Sequence, residues 1–118
     1  MTAPLIASLD IAGRDCLVVG GGRRALAAVQ RLLDSDAVVT VVAPRLHTML
    51  RTRLADGVIR HHATTFAPSQ LAGMCLTVPA TGDRTIDEAV RMAAAARGIA
   101  ASRLGIDYRR CALPDIAC

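Results

Sequence analysis

Six consecutive residues carry the strongest chemical signal in this sequence: Gly20-Gly21-Gly22-Arg23-Arg24-Ala25. They fit the pattern G-x-G-x-x-A, with Gly20 and Gly22 as the spaced glycines and Ala25 closing it. In a turn that joins a strand to a helix, the first glycine lets the chain reverse tightly. The second lets backbone approach a pyrophosphate, and the small last residue lets the helix pack closely on the strand. Free N–H groups and the helix dipole then favour phosphate charge. The chemistry implied is dinucleotide binding; the plainer alternative is a glycine turn in an α/β fold that binds nothing. The pattern is usually completed by an acid about 20 residues on, which holds ribose hydroxyls. That stretch here reads Val42-Ala43-Pro44-Arg45, with no acid. Arg45 either faces a 2′-phosphate, as in NADP sites, or is a solvated loop cation.

Other reactive side chains form no comparable constellation. His61 and His62 are neighbours, so on a strand they point to opposite faces and cannot share a metal. His47 falls near the start of a predicted helix with no partner in sequence. The cysteines at 16, 75, 111 and 118 show neither C-x-x-C nor zinc-ribbon spacing. Cys16 and Cys75 lie in apolar strand-like runs and read as small buried hydrophobes. No metal site is expected. All fourteen basic residues are Arg, so a lysine Schiff base and a P-loop lysine are excluded.

The elements that must position the glycine turn alternate. Cys16 to Val19 is a short apolar run ending at the glycines, without the polar alternation of a one-sided strand, so both faces should be buried. Ala25, Leu26, Val29, Leu32 and Leu33 then follow helical spacing, broken by Asp34-Ser35-Asp36. Val38 to Val42 is a second strand, Leu46 to Leu54 a short helix, Val58 to His62 a weaker strand, Pro68 to Leu71 one helical turn, and Met74 to Val78 a fourth strand. Thr85-Ile86-Asp87-Glu88 has the form of a capping box and opens a last helix, which Gly98 should close. Ile99 to Leu104 completes about five strands. The expected fold is α/β: a Rossmann-like, doubly wound parallel sheet in a single domain.

Length and composition agree. The 118 residues suit one domain, and a 53% hydrophobic content supplies its core. Net charge is +4, but the basic residues are scattered, and aromatics are 2% of the chain. With no dense basic arm and no stacking platform, nucleic acid is not an expected partner. No apolar run approaches the ~18–20 residues of a membrane span, and no signal peptide is visible. The expected location is the cytoplasm.

Several segments, taken in order, resemble the N-terminal domain of siroheme synthase, the precorrin-2 dehydrogenase and sirohydrochlorin ferrochelatase family. These are Pro4-Leu5-Ile6 with Leu9 to Arg14, then Leu17 to Gly22, then Leu32-Leu33 with Val39 to Pro44. Ala80-Thr81-Gly82-Asp83 and Ala93 to Ile99 follow. The resemblance spans residues 4 to about 104. It implies NAD-dependent oxidation of precorrin-2 to sirohydrochlorin within siroheme synthesis, with iron insertion in some members. It also explains the missing acid, because the family tolerates a second strand that ends without one. By this resemblance the cofactor contacts fall on the glycine turn (Gly20, Gly21, Gly22), on Arg23 and Arg24, on Pro44 and Arg45, and on Ala80 and Thr81. A tetrapyrrole rich in carboxylates would suit an arginine-rich rim.

Departures from the family pattern qualify this. Gly82 replaces an acid of the A-T-D-D loop, and Asp87 stands where Asn is usual. The family's general-base aspartate aligns with Gly105, which leaves Asp107 as the catalytic candidate. Residues 1–105 are taken as the NAD(P)-binding domain. Residues 106–118 are taken as a tail that starts a missing or diverged C-terminal region. The family's later part includes a dimerisation region, so a homodimer is among the expectations. The second reading of the chain is a degenerate, non-catalytic dinucleotide-binding or interaction module.

Overall fold

A computed structural model describes residues 11–102. Its elements are β1 (Asp15–Val19), α1 (Arg23–Asp34), β2 (Val38–Val42), α2 (Thr48–Ala55), β3 (Ile59–His62), a 3-10 turn (Pro68–Leu71), β4 (Leu76–Pro79), α3 (Arg84–Ala96) and β5 (Ala100–Ala101). All strand pairs are parallel, in the order β3-β2-β1-β4-β5. The chain therefore winds outward from β1 in one direction, returns, and winds outward in the other. This is the doubly wound arrangement that the sequence predicts.

Burial on both faces explains the unbroken apolar strands. Successive side chains of a strand point to opposite faces. Cys16 and Val18 face one way, with Val39, Val41, Leu76 and Val78 beside them, and meet Ala25, Ala28, Val29 and Leu32 of α1 and Leu50 of α2. Leu17 and Val19 face the other way with Val42, and meet Val90 and Ala94 of α3 and Leu71 of the 3-10 turn. Two threonines enter the sheet in register with Leu17, Thr40 on one side and Thr77 on the other. Thr77 is fully buried and donates its hydroxyl to the Leu17 carbonyl at 3.0 Å, so its polar atom is not left unpaired.

Several sequence expectations shift, the second helix starting at Thr48 instead of Leu46 and the third strand at Ile59 instead of Val58. The fourth strand begins at Leu76, not Met74: the Met74 N–H bonds the Leu71 carbonyl in a turn, and Cys75 only leads into the ladder through its N–H to the Asp15 carbonyl. Of the expected fifth strand, Ala100–Ala101 lie in the ladder, and residues 103 and 104 fall outside the described residues. The proposed capping box is not the start of α3. Asp83 is the N-cap, its carboxylate accepting from the N–H groups of Thr85 and Ile86 at 2.9 and 3.1 Å, so Thr85 is already inside the helix. Glu88 is turned to Arg91 instead, at 2.6 Å. An ionised carboxylate two residues upstream holds the cap position that Thr85 was expected to take.

The two candidate caps are separable by measurement. Asp83→Ala should lower the unfolding free energy by about 1 kcal/mol, whereas Thr85→Ala should cost no more than a few tenths. Urea denaturation of both variants checks this; equal losses would return the cap to Thr85.

Candidate functional site

The winding direction reverses at β1, and a crevice opens outside the carboxyl ends of β1, β2 and β4. In open α/β sheets that is where ligands bind. Here it is a pocket of about 760 Å³. Its floor is the glycine turn with Val19 and Val42. Residues 43–47 form one wall and 64–66 continue it. Thr81, Thr85, Ile86 and Ala89 close the opposite side.

Each glycine of the turn answers a different constraint. Gly20 has φ +133°, and a Cβ there would strike the carbonyl of Ala80. A Cβ on Gly21 would overlap the carbonyl oxygen of Arg45. The same contact is held from the other side by the His47 N–H, which donates to the Gly21 carbonyl at 2.6 Å. Gly22 is different: it is exposed, caps α1 with an ordinary φ of −101°, and has nothing within 4 Å of where its Cβ would lie. Gly22 also lines the crevice. The start of α1 also has no side-chain cap and no acid in its first turn, whereas α2 and α3 are capped by His47 and Asp83. Uncapped N–H groups and a positive helix end thus face a concavity, which is a fit for phosphate. Ala25 is fully buried against the sheet, as the pattern requires.

The two flanking loops are fastened by side chains. After β2, the His61 ring bonds the Ala43 carbonyl through Nε2 at 2.8 Å, and the Ala43 N–H bonds the His62 carbonyl. His47 accepts from the Met49 N–H through Nδ1 at 3.1 Å and so caps α2. After β4, Asp87 is buried and its Oδ1 accepts from both the N–H and the hydroxyl of Thr81, at 3.1 and 2.6 Å. The Thr81 oxygen in turn accepts from the Asp83 N–H at 3.0 Å. Between them Gly82 takes φ +83°, a conformation glycine adopts at little cost, at the position where the family pattern has an acid.

Of the residues singled out for a cofactor, Gly20, Gly21, Gly22, Pro44, Arg45 and Thr81 line the pocket together. Arg23 and Arg24 are exposed at the start of α1, and Ala80 is buried with its carbonyl turned to the glycine turn. Asp107 lies outside the described residues, as do Gly105, Cys111 and Cys118. His61 is half-buried and His62 exposed, on the edge strand β3. Sequence reasoning gave no place in the site to His47, to the wall Thr64-Thr65-Phe66, or to Thr85, Ile86 and Ala89. Ile86 and Ala89 are three positions apart in α3, which puts them on one face. No helix among the described residues is long and apolar enough to cross a membrane.

Comparison with known proteins places this geometry. A family model described as NAD(P)-binding matches residues 7–108. A siroheme synthase of Methylobacillus flagellatus is 46% identical over 91 residues, covering 77% of this chain and 20% of that protein. A siroheme synthase of Nitrosomonas europaea is 40% identical over 92 residues, covering 77% and 19%. The chain thus spans about a fifth of the length of these curated relatives. A solved structure titled SirC, precorrin-2 dehydrogenase, superposes with a TM-score of 0.68 at 31% identity, covering 77% of this chain and 44% of that one.

The glycines should separate by stability. Gly21→Ala drives a methyl into a backbone carbonyl and should cost about 1–3 kcal/mol. Gly22→Ala meets open space at an ordinary φ and should stay within about 0.5 kcal/mol of the parent. Chemical denaturation reads both. Comparable losses would show that Gly22 is as confined as its neighbour.

Proposed function

The chain belongs to the NAD(P)-binding family, and from that membership we propose that it binds NAD at the glycine turn and forms the precorrin-2 dehydrogenase-type domain of a cytoplasmic protein of siroheme synthesis. The observation that carries the reading is the combination at Gly22: an open approach and an uncapped helix start, at the floor of a crevice between two loops. A dinucleotide seated there with its pyrophosphate against the first turn of α1 extends to both sides. Pro44, Arg45 and the 64–66 wall would hold the adenosine half, where the fingerprint places the ribose. Thr81 and α3 would hold the nicotinamide half. The relatives whose names state siroheme synthase or precorrin-2 dehydrogenase support the substrate class.

NAD supplies a hydride acceptor when bound. The chain's own contribution is to hold and orient. The α1 N–H groups would hold the phosphates. The Asp87–Thr81 hydrogen bonds keep the loop after β4 in one conformation. Thr81, Ile86 and Ala89 shape the wall beside the reacting end. Asp107 is the proposed base, with the role of taking a proton from the tetrapyrrole as hydride leaves. The exposed arginines 23, 24 and 45 supply positive charge to a polycarboxylated substrate or to the cofactor phosphates.

Calorimetry with NAD and NADP tests the binding step. The parent should bind NAD, and Gly22→Val should weaken it at least about tenfold, or ~1.4 kcal/mol, while remaining folded. Equal NAD affinity in the two proteins, or none in the parent, would overturn the site. Arg45→Ala should change NAD and NADP affinity alike; a loss confined to NADP would assign Arg45 to a 2′-phosphate.

The catalytic proposal has its own readout. Asp107→Asn should leave NAD affinity unchanged and remove NADH formation from precorrin-2, followed by absorbance. Unchanged turnover in that variant would release Asp107 from the role of base.

A further inference from the structure

Cys16 and Cys75, 59 positions apart in the chain, bring their sulfurs to 3.9 Å of each other. Neither takes part in the pocket, which lies at the opposite end of the sheet. Cys16 opens the apolar part of β1 and Cys75 immediately precedes β4, the strand paired with it, and the Cys75 N–H bonds the Asp15 carbonyl at 2.9 Å. Both side chains join the core on the α1 face of the sheet. We propose that Cys16 and Cys75 are a reversible thiol–disulfide pair that can join the amino ends of β1 and β4. This does not rest on the cofactor reading above.

Three observations support it. The backbone is already fixed by the β1–β4 ladder, so the side chains need little ordering to meet. Bringing sulfurs from 3.9 Å to a bond of about 2.05 Å asks each to move by about 0.9 Å. Access is also divided usefully: Cys16 is fully buried, and Cys75 is only half-buried. Burial, reinforced by the neighbouring Cys75, pushes the Cys16 thiol up to about 12. Cys16 therefore stays protonated at neutral pH, and Cys75 is the sulfur that meets an oxidant first.

The oxidant class is a small-molecule disulfide. The Cys75 thiolate attacks one of its sulfurs, forming a mixed disulfide and expelling one thiolate. The Cys16 sulfur then attacks Sγ of Cys75 and expels the second thiolate, which takes up the proton that Cys16 gives up. Both protein sulfurs are oxidised, and the small disulfide is reduced to two thiols. A dithiol reductant reverses the exchange.

The test uses the full chain with oxidised glutathione, alkylation of residual thiols, and tryptic mapping. Cleavage after Arg14, Arg23, Arg60 and Arg84 places Cys16 in peptide 15–23 and Cys75 in peptide 61–84. The folded protein should give these two peptides joined, and a dithiol reductant should separate them. The unfolded chain should behave differently. In urea, Cys111 and Cys118 are only seven positions apart, and loop-closure scaling favours their bond roughly 20-fold over one spanning 59 positions. The Cys16–Cys75 link should therefore dominate only in the native state. It should persist in the double variant Cys111→Ser, Cys118→Ser and vanish in Cys75→Ser. Folded protein that carries glutathione or the alkylating group on Cys75 without any joined peptide would overturn the proposal. A link formed equally well in urea would do the same.

Discussion

Backbone meets backbone where the turn after β1 lies against the turn after β2, and the pocket depends on that contact. Gly21 has no room for a side chain beside the Arg45 carbonyl, and the His47 N–H reaches back to the Gly21 carbonyl. The Gly20 N–H bonds the last carbonyl of β2, and Gly20 itself packs on the Ala80 carbonyl after β4. Two adjacent glycines thus hold three loops at van der Waals distance, and the third opens toward the crevice. A Cβ at either of the first two positions would push the walls apart, because the close-packed turn has no slack to absorb it. The helix start is aimed by the same contacts, since α1 leaves the turn directly from Gly22.

The sheet beneath makes this precision possible. β1 is central and pairs along its length with β2 on one side and β4 on the other. Its residues Cys16 to Val19 are all essentially inaccessible. Displacing the end of β1 would therefore disturb two ladders and two apolar layers together. Sites on rigid elements hold geometry better than sites on free loops. Here the loops gain rigidity from short side-chain tethers: His61 to Ala43 after β2, and Asp87 to Thr81 after β4. Asp87 does from within α3 what a longer ladder would do from the sheet.

Much of this was legible in the sequence, because it rests on local patterns. Unbroken apolar runs announced strands buried on both faces, and the glycine turn followed the first of them. The α1 stripe and the Gly98 terminus were likewise written in neighbouring residues. What escaped depends on contacts distant in sequence. Gly21 occupies a free position of the motif, and its constraint comes from Arg45, 24 residues away. Cys16 and Cys75 read as separate small hydrophobes because only the β1–β4 register brings them together. The α3 cap was misplaced because Asp83 and Thr85 are both good cap residues two positions apart, and local preference alone does not choose between them. Phe66 belongs to a loop without periodicity, so nothing in the chain marked it as a wall.

The end of β2 shows how charge is arranged without the usual acid. Between residues 43 and 45 the main chain is committed to structure: Ala43 bonds both His61 and His62, Pro44 has no N–H, and the Arg45 carbonyl lies on Gly21. Across the pocket, the acids nearest the crevice are engaged too. Asp83 caps α3 and Asp87 holds Thr81. Arg23, Arg24 and Arg45 are exposed, and the one ion pair among the described residues joins Arg91 to Glu88 instead. Asp87 is thus turned inward to its donors and the exposed Asp83 is bound to the start of α3, while the guanidinium groups and the start of α1 are presented outward. Arg45 in the lining and the start of α1 are what the crevice offers to an anion, and the chain's net +4 adds only a diffuse background.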